Sequence, residues 1–172
     1  MPPSEILSGL VGSEMCIRDS PYMKEQNKGC IINLSGGGGL KEFPYYDAYS
    51  ASKSAIVRLT ENFALELDKF NINVSAISPG PINTKMFYDQ LKTNKDLLGE
   101  ENLKTLLDQE ASGGESPDNA CELALFLASQ SDNLFNGRVI SAVWDDWEKI
   151  SNNPSIKNDD FKMRRIVPKD SN

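Results

Sequence analysis

The chain has 172 residues, 25 acidic against 18 basic side chains, no histidine and a net charge of −7. That balance argues against nucleic acid or an anionic membrane as partner, and the missing imidazole excludes Ser-His-Asp hydrolysis and histidine-ligated metal sites. Three cysteines, Cys16, Cys30 and Cys121, form no close pair, so neither a disulfide framework nor a metal site is expected and a reducing cytoplasm is the default compartment.

Residues 1–20 open with Pro2, Pro3, Ser4 and Glu5, continue through a short apolar patch at 6–11 and close on Arg18, Asp19, Ser20. The segment has neither the basic start nor the apolar length of a signal peptide, and it is too short to span a membrane. Its ending, SGLVGSEMCIRDS, resembles a translated sequencing adaptor. Residues 1–20 are therefore expected to be a non-native leader, with the authentic chain beginning near Pro21.

Gly29, Cys30, Ile31, Ile32, Asn33 and Leu34 read as a first strand that ends in the hydroxyl of Ser35 and four glycines, Gly36 to Gly39. No G-x-G-x-x-G fits this run: the sixth position from Gly36 is Lys41, from Gly37 it is Glu42, and Pro44 interrupts before a helix can start. The run is expected to be a flexible or substrate-side loop rather than a phosphate turn. Next comes a helix in which Tyr49 and Lys53 stand one turn apart on a shared face, continuing an apolar stripe of Ile56, Leu59, Phe63, Leu67 and Phe70. At roughly 5 Å and an effective dielectric near 20, the attraction between a Lys53 ammonium and a Tyr49 phenolate is about 3 kcal/mol. The pair is expected to pull the phenol below its usual range and make it a proton donor and acceptor near neutral pH. Ala51 and Ala55 form a small-residue face, and Asn71 is a suitable left-handed stop.

A second strand over residues 72–77 runs directly into Ser78, Pro79, Gly80, Pro81, Ile82, Asn83, Thr84. The two prolines stop the strand, and Gly80 permits close backbone approach to a flat ring. Residues 85–110 read as two short amphipathic helical pieces. Gly113 and Gly114 break the chain, Ser116 and Pro117 start a helix to about Ser129, and residues 137–143 read as a last strand. Trp144, Asp145, Asp146 and Trp147 follow, with edge packing preferred over a substrate or subunit contact for the two tryptophans. The tail at 151–172 reads as a polar linker in which Arg164 and Arg165 form a solvated basic turn or meet an anion.

The order strand, Ser, Gly-rich loop, Tyr-x-x-x-Lys helix, strand, Pro-Gly-x-Ile-x-Thr resembles the catalytic half of the short-chain dehydrogenase/reductase family, over about residues 21–146. The resemblance implies an α/β fold, a Rossmann-like doubly wound parallel sheet, here lacking its N-terminal cofactor-binding strands; residues 21–150 would be the C-terminal half of that domain. It implies NAD or NADP as cofactor, a small-molecule alcohol or carbonyl substrate, and a homo-oligomeric full-length parent that docks through the small-residue helix face. In the family a serine meets the substrate oxygen, the tyrosine passes the proton, and the lysine holds the nicotinamide ribose and lowers the tyrosine pKa. These roles fall on Ser35, Tyr49 and Lys53, while Pro79, Gly80, Ile82 and Thr84 would line the nicotinamide pocket, with residues 85–110 as a lid. The family's serine stands thirteen residues before the tyrosine, which here is Gly36; the glycine run is expected to absorb the extra residue and bring Ser35 to the same point. The resemblance makes the parent an NAD(P)-dependent oxidoreductase and the chain as written an inactive fragment. The alternatives are a non-catalytic binding or oligomerisation module, and a nucleotide-sugar epimerase or dehydratase.

Overall fold

Two parallel strands built almost wholly from apolar and small residues set the frame: β1 (Gly29–Leu34) and β2 (Ile72–Ser78) pair from Gly29↔Ile72 to Leu34↔Ile77. The computed structural model describes residues 11–92, 95–153 and 155–164. β3 (Val139–Ser141) joins the other side of β2 in parallel, Ala76↔Val139 to Ser78↔Ser141, giving the order β1-β2-β3 among the described residues. β2 is buried almost end to end, as a strand covered on both faces must be.

Strand alternation divides the core between those faces. On one, Ile31, Ile72 and Val74 pack against Ala64 and Leu67 of the long helix α2 (Asp47–Leu67), and Ala76 and Val139 pack against its Val57. On the other, Ile77 and Ile140 pack against Leu123 and Leu127 of α6 (Pro117–Ser129), with Phe135 closing the cluster. Helices therefore cover both faces of a parallel sheet, the doubly wound arrangement expected from the sequence. Before β1 runs α1 (Val11–Gln26), whose Met23 packs beside Ile31. Of the expected 1–20 leader, residues 1–10 lie outside the described residues, and residues 11–20 are the first turns of α1, which continues through Pro21 without a break.

The punctuation residues act as their chemistry demands. Asn71 ends the turn after α2 in the left-handed region, φ 53°. Ser116 Oγ accepts the Asp118 N–H at 3.1 Å to cap α6, with Pro117 in the first turn. The region after Thr84 differs from the expected two pieces, because Gly99 at φ 74° inserts a break: α3 (Lys85–Leu91), α4 (Lys95–Leu98) and α5 (Glu100–Ser112) gather around Phe87, Leu98 and Leu106. Tyr45 packs so tightly on Gly99 that a Cβ there would meet its ring at 2.7 Å.

β3 is shorter than the expected 137–143. The Asp145 carboxylate accepts the Ser141 N–H at 2.7 Å, and Ser141 Oγ accepts the Val143 and Trp144 N–H groups, folding the chain out of the sheet. The segment read as a linker also differs. After α7 (Trp147–Ser151) the chain returns to the β3 edge, where Val139 N–H donates to Phe161 O at 2.9 Å and Arg138 reaches the Lys157 and Asp160 carbonyls. Buried Glu61 on α2 fastens this strap, accepting from Met163 N–H, Arg58 and Arg164, while Arg164 also holds Asp159 at 2.7 Å. The anion that Arg164 meets is thus the chain's own.

Candidate active site

The cleft lies at the C-terminal ends of β1 and β2, where the strand ends, the start of α2 and the helices after Thr84 converge. Tyr49 sits in the first turn of α2 and Lys53 one turn further, so helix geometry alone brings the ring and the ammonium together: Lys53 Nζ stands 5.8 Å from the Tyr49 ring centroid. The ammonium donates to Leu34 O, the last carbonyl of β1, at 2.9 Å. Asn33 Nδ2 donates to Thr60 Oγ1 at 2.9 Å and ties the same strand end to the same helix.

The electrostatics differ from the sequence expectation. Burial pushes the Tyr49 phenol up from its ordinary value, and burial pushes the Lys53 ammonium down. Nζ lies over the aromatic ring and is held to Leu34 O, so the cost of dehydrating a phenolate outweighs the distant charge. In this state Tyr49 is a firmly protonated proton donor.

The glycine run lines the cleft as a folded turn. Gly37–Gly39 form one 3₁₀ turn laid flat on the start of α2. A Cβ on Gly36 would stand 2.7 Å from Tyr49 Oη, and one on Gly39 would stand 2.9 Å from Ser35 Oγ and 3.0 Å from the Lys53 backbone. This contact, rather than free rotation, is what requires glycine. It also decides which way Ser35 faces. Gly36 is extended, φ 175° and ψ 167°, so successive residues point to opposite sides, and the run does not absorb the extra residue as expected. Ser35 borders the cleft, but its Oγ lies beneath Gly39, buried and without a hydrogen-bond partner; the residue facing the Tyr49 hydroxyl is Gly36.

Pro79, Gly80, Pro81, Ile82 and Thr84 form one wall of the cleft. Gly80 takes φ 89°, and a Cβ there would meet Val143 Cγ2 at 2.6 Å, so the turn packs flat on the end of the sheet. Ile82 N–H is spent inside the turn on Gly80 O and Ile82 O accepts from Thr84 N–H, whereas the Thr84 side chain makes no capping bond to α3. Opposite stand Phe43, Tyr46, Met86, Phe87, Leu106 and Trp144, enclosing about 290 Å³ with the wall and Tyr49. Phe43 stacks on Tyr46 at 4.4 Å between centroids and meets Tyr49 edge-on at 6.3 Å. These aromatics escaped the sequence reading; Phe43 and Tyr46, close before Tyr49 in a Pro-containing loop, were the available signal. The two tryptophans part company: Trp147 packs on Phe126 at 4.7 Å, and Trp144 is exposed at the cleft mouth.

Among the described residues no group of His, Cys, Asp or Glu is placed to hold a metal ion, and no helix is long and apolar enough to cross a membrane. The profile of the enoyl-(acyl carrier protein) reductase family matches residues 10–142. The chain is 36% identical over 121 residues to a 3-oxoacyl-(acyl-carrier-protein) reductase of Thermotoga maritima, covering 70% of this chain and 46% of that protein. It is 34% identical over 140 residues to a short-chain dehydrogenase/reductase of Armillaria gallica, covering 77% and 51%. An NAD+-bound xylitol dehydrogenase superposes with a TM-score of 0.59 at 28% identity, over 71% of this chain and 50% of that one. The chain spans about half the length of the curated relatives it matches.

Proposed function

The chain belongs to the short-chain dehydrogenase/reductase family, and from that premise we propose that it supplies the proton-transfer and nicotinamide side of an NAD- or NADP-dependent oxidoreductase acting on a small carbonyl or alcohol. The observation that carries this reading is the half-buried Tyr49 phenol at the cleft, with Lys53 one helical turn behind it and hydrogen-bonded to the end of β1. A flat ring fits the wall beside it. Gly80 lies pressed to Val143, the prolines have no N–H to desolvate, and the Thr84 hydroxyl is not used by its own helix. Pro79, Gly80, Ile82 and Thr84 would hold the nicotinamide, and Lys53 its ribose. When bound, that ring supplies or accepts the hydride.

The chain's own part is the proton. In reduction Tyr49 Oη donates to the carbonyl oxygen as negative charge develops there, and Lys53 stabilises the phenolate left behind. In oxidation the proton returns to the same atom. Ser35 enters this proposal as a wall residue, because its Oγ faces Gly39. Ser35→Ala is expected to leave kcat nearly unchanged and to stabilise the fold by up to about 1 kcal/mol, since an unpartnered buried hydroxyl is removed. A kcat loss on the order of 10²-fold would return Ser35 to the substrate oxygen.

The pH dependence tests the same assignment. With the Tyr49 pKa raised by burial, the donor stays protonated through neutral pH, so carbonyl reduction should run level across neutral pH and fall only on the far alkaline side. Stability follows the same sign. Above the ordinary tyrosine value the unfolded chain gives up this proton while the native chain keeps it, so Tyr49 works against the fold as pH rises through that window; Lys53, shifted down, acts in the opposite sense. Alkaline difference spectra of the wild type against Tyr49→Phe read the titration directly, and a step below the ordinary tyrosine range would overturn the protonated-donor assignment. Self-association through the α2 face bearing exposed Ala51 and Leu65 belongs to the same proposal.

A further inference from the structure

The wall of the cleft opposite the nicotinamide turn sorts ligands by polarity. Three of its polar side chains already spend their donors inside the fold, and the Gln90 amide lines the cleft beside them. Asn102 Nδ2 donates to Pro44 O and Leu98 O, Gln109 Nε2 donates to Asn83 Oδ1 and Pro81 O, and Thr105 Oγ1 donates to Glu101 O. Asn102 and Gln109 bind the helices after Thr84 to the frame, Thr105 bonds within its own helix, and these donors are not presented to a ligand. The charges at the rim are Lys41 and Glu42, adjacent and opposite in sign, so the mouth has no net charge to favour an ionic substrate. The larger part of this wall is apolar: the Phe43–Tyr46 stack, Phe87, Leu106, and two large side chains left exposed beside the opening, Met86 at 53% and Trp144 at 67%. Such exposed apolar surface at the mouth of a cavity is stabilised when an apolar body covers it.

Resting on the reading of this cleft as the substrate site, we propose that the substrate is an uncharged aromatic or alicyclic ketone, or the matching alcohol. Its single oxygen meets Tyr49 and its ring lies against Phe43, Tyr46, Met86 and Trp144. A carboxylate or a polyol brings more polar groups than this mostly apolar wall can pair, and burying each one left without a partner weakens binding. A ring ketone brings one acceptor, which the Tyr49 phenol meets. Apolar area then supplies the affinity, and aromatic faces add orientation.

The test is equilibrium binding by the 172-residue chain, without dinucleotide. The probes are 1-tetralone, its charged counterpart 4-acetylbenzoate and the sugar ketone xylulose, followed by saturation-transfer NMR on the probe protons and by the Trp144 emission. 1-Tetralone is expected to bind saturably and to shift an emission component that Trp144→Phe removes. Phe43→Ala, a change at a half-exposed loop position, should weaken 1-tetralone at least tenfold, and Phe43→Leu should weaken it less. 4-Acetylbenzoate and xylulose should bind at least tenfold more weakly than 1-tetralone. Equal or tighter binding of either polar probe, no saturable 1-tetralone binding, or unchanged affinity in Phe43→Ala would each overturn the assignment. The oxidoreductase reading fails separately: it is lost if Tyr49→Phe leaves turnover intact, and this binding measurement does not depend on that result.

Discussion

In the proposed oxidoreductase of which this chain supplies the proton-transfer side, Tyr49→Phe is expected to lower kcat by about 10²–10⁴-fold, the range of a positioned proton donor, and to leave dinucleotide affinity nearly unchanged. At 25 °C this corresponds to about 2.7–5.5 kcal/mol of barrier. The substitution removes one oxygen and keeps the ring, so the edge contact with Phe43 and the packing beside Gly36 survive. Lys53 keeps its bond to Leu34 O, which does not involve the phenol, and the contact proposed for the ribose is preserved. Steady-state turnover and an equilibrium cofactor titration on the same preparation separate the two effects. Unaltered turnover would remove Tyr49 from the chemistry; a parallel collapse of cofactor affinity would show that the hydroxyl holds structure instead.

The second large effect is on stability and lies away from the cleft. Glu61 is buried, and its carboxylate accepts from Arg58, from Arg164 and from the Met163 N–H. In Glu61→Gln one acceptor oxygen remains, the charge is gone, and an amide donor now faces two guanidinium groups. Hydrogen bonds to charged groups contribute about 1.5–3 kcal/mol, and the partial exposure of both arginines, 50% and 38%, places the loss within that range rather than above it. The expected result is a Tm lower by about 2–4 °C per kcal/mol for a chain of this size. Limited proteolysis should then cut first between residues 155 and 164, where the strap leaves the β3 edge. Wild-type melting and an unchanged cleavage pattern would mean that Phe161 and Arg138 hold the strap without Glu61.

What the sequence made legible was local. Tyr49 and Lys53 fall together because a helix repeats every 3.6 residues, and the strands at Ile31 and Val74 declare themselves as short apolar runs between turn residues. Ser116 stands at a helix start because its side chain satisfies that end, and Asn71 at a helix stop because it takes the left-handed backbone there. The direction of Ser35 is not legible for a reason of phase: one residue along an extended segment turns a side chain to the opposite face, and a count of glycines does not reveal that Gly36 stays extended. The phenol's acidity was misjudged because spacing gives the charge but not the burial. Gly99 and Trp144 take their meaning from Tyr45 and from the cleft mouth, partners distant in the chain. The strap was invisible for the same reason, since Glu61 and Arg164 are 103 positions apart.

That separation bears on how the domain assembles. α2 and the β1–β2 pair can collapse early, with a single crossover between them, yet Glu61 finds Met163 and Arg164 only after a further hundred residues have been threaded into position, and closing so wide a loop is slow. Until then the outer side of β3 offers unmatched amides and carbonyls to any neighbouring chain. Renaturation should therefore compete with association, and the yield of correctly folded molecules should decline as they are crowded together.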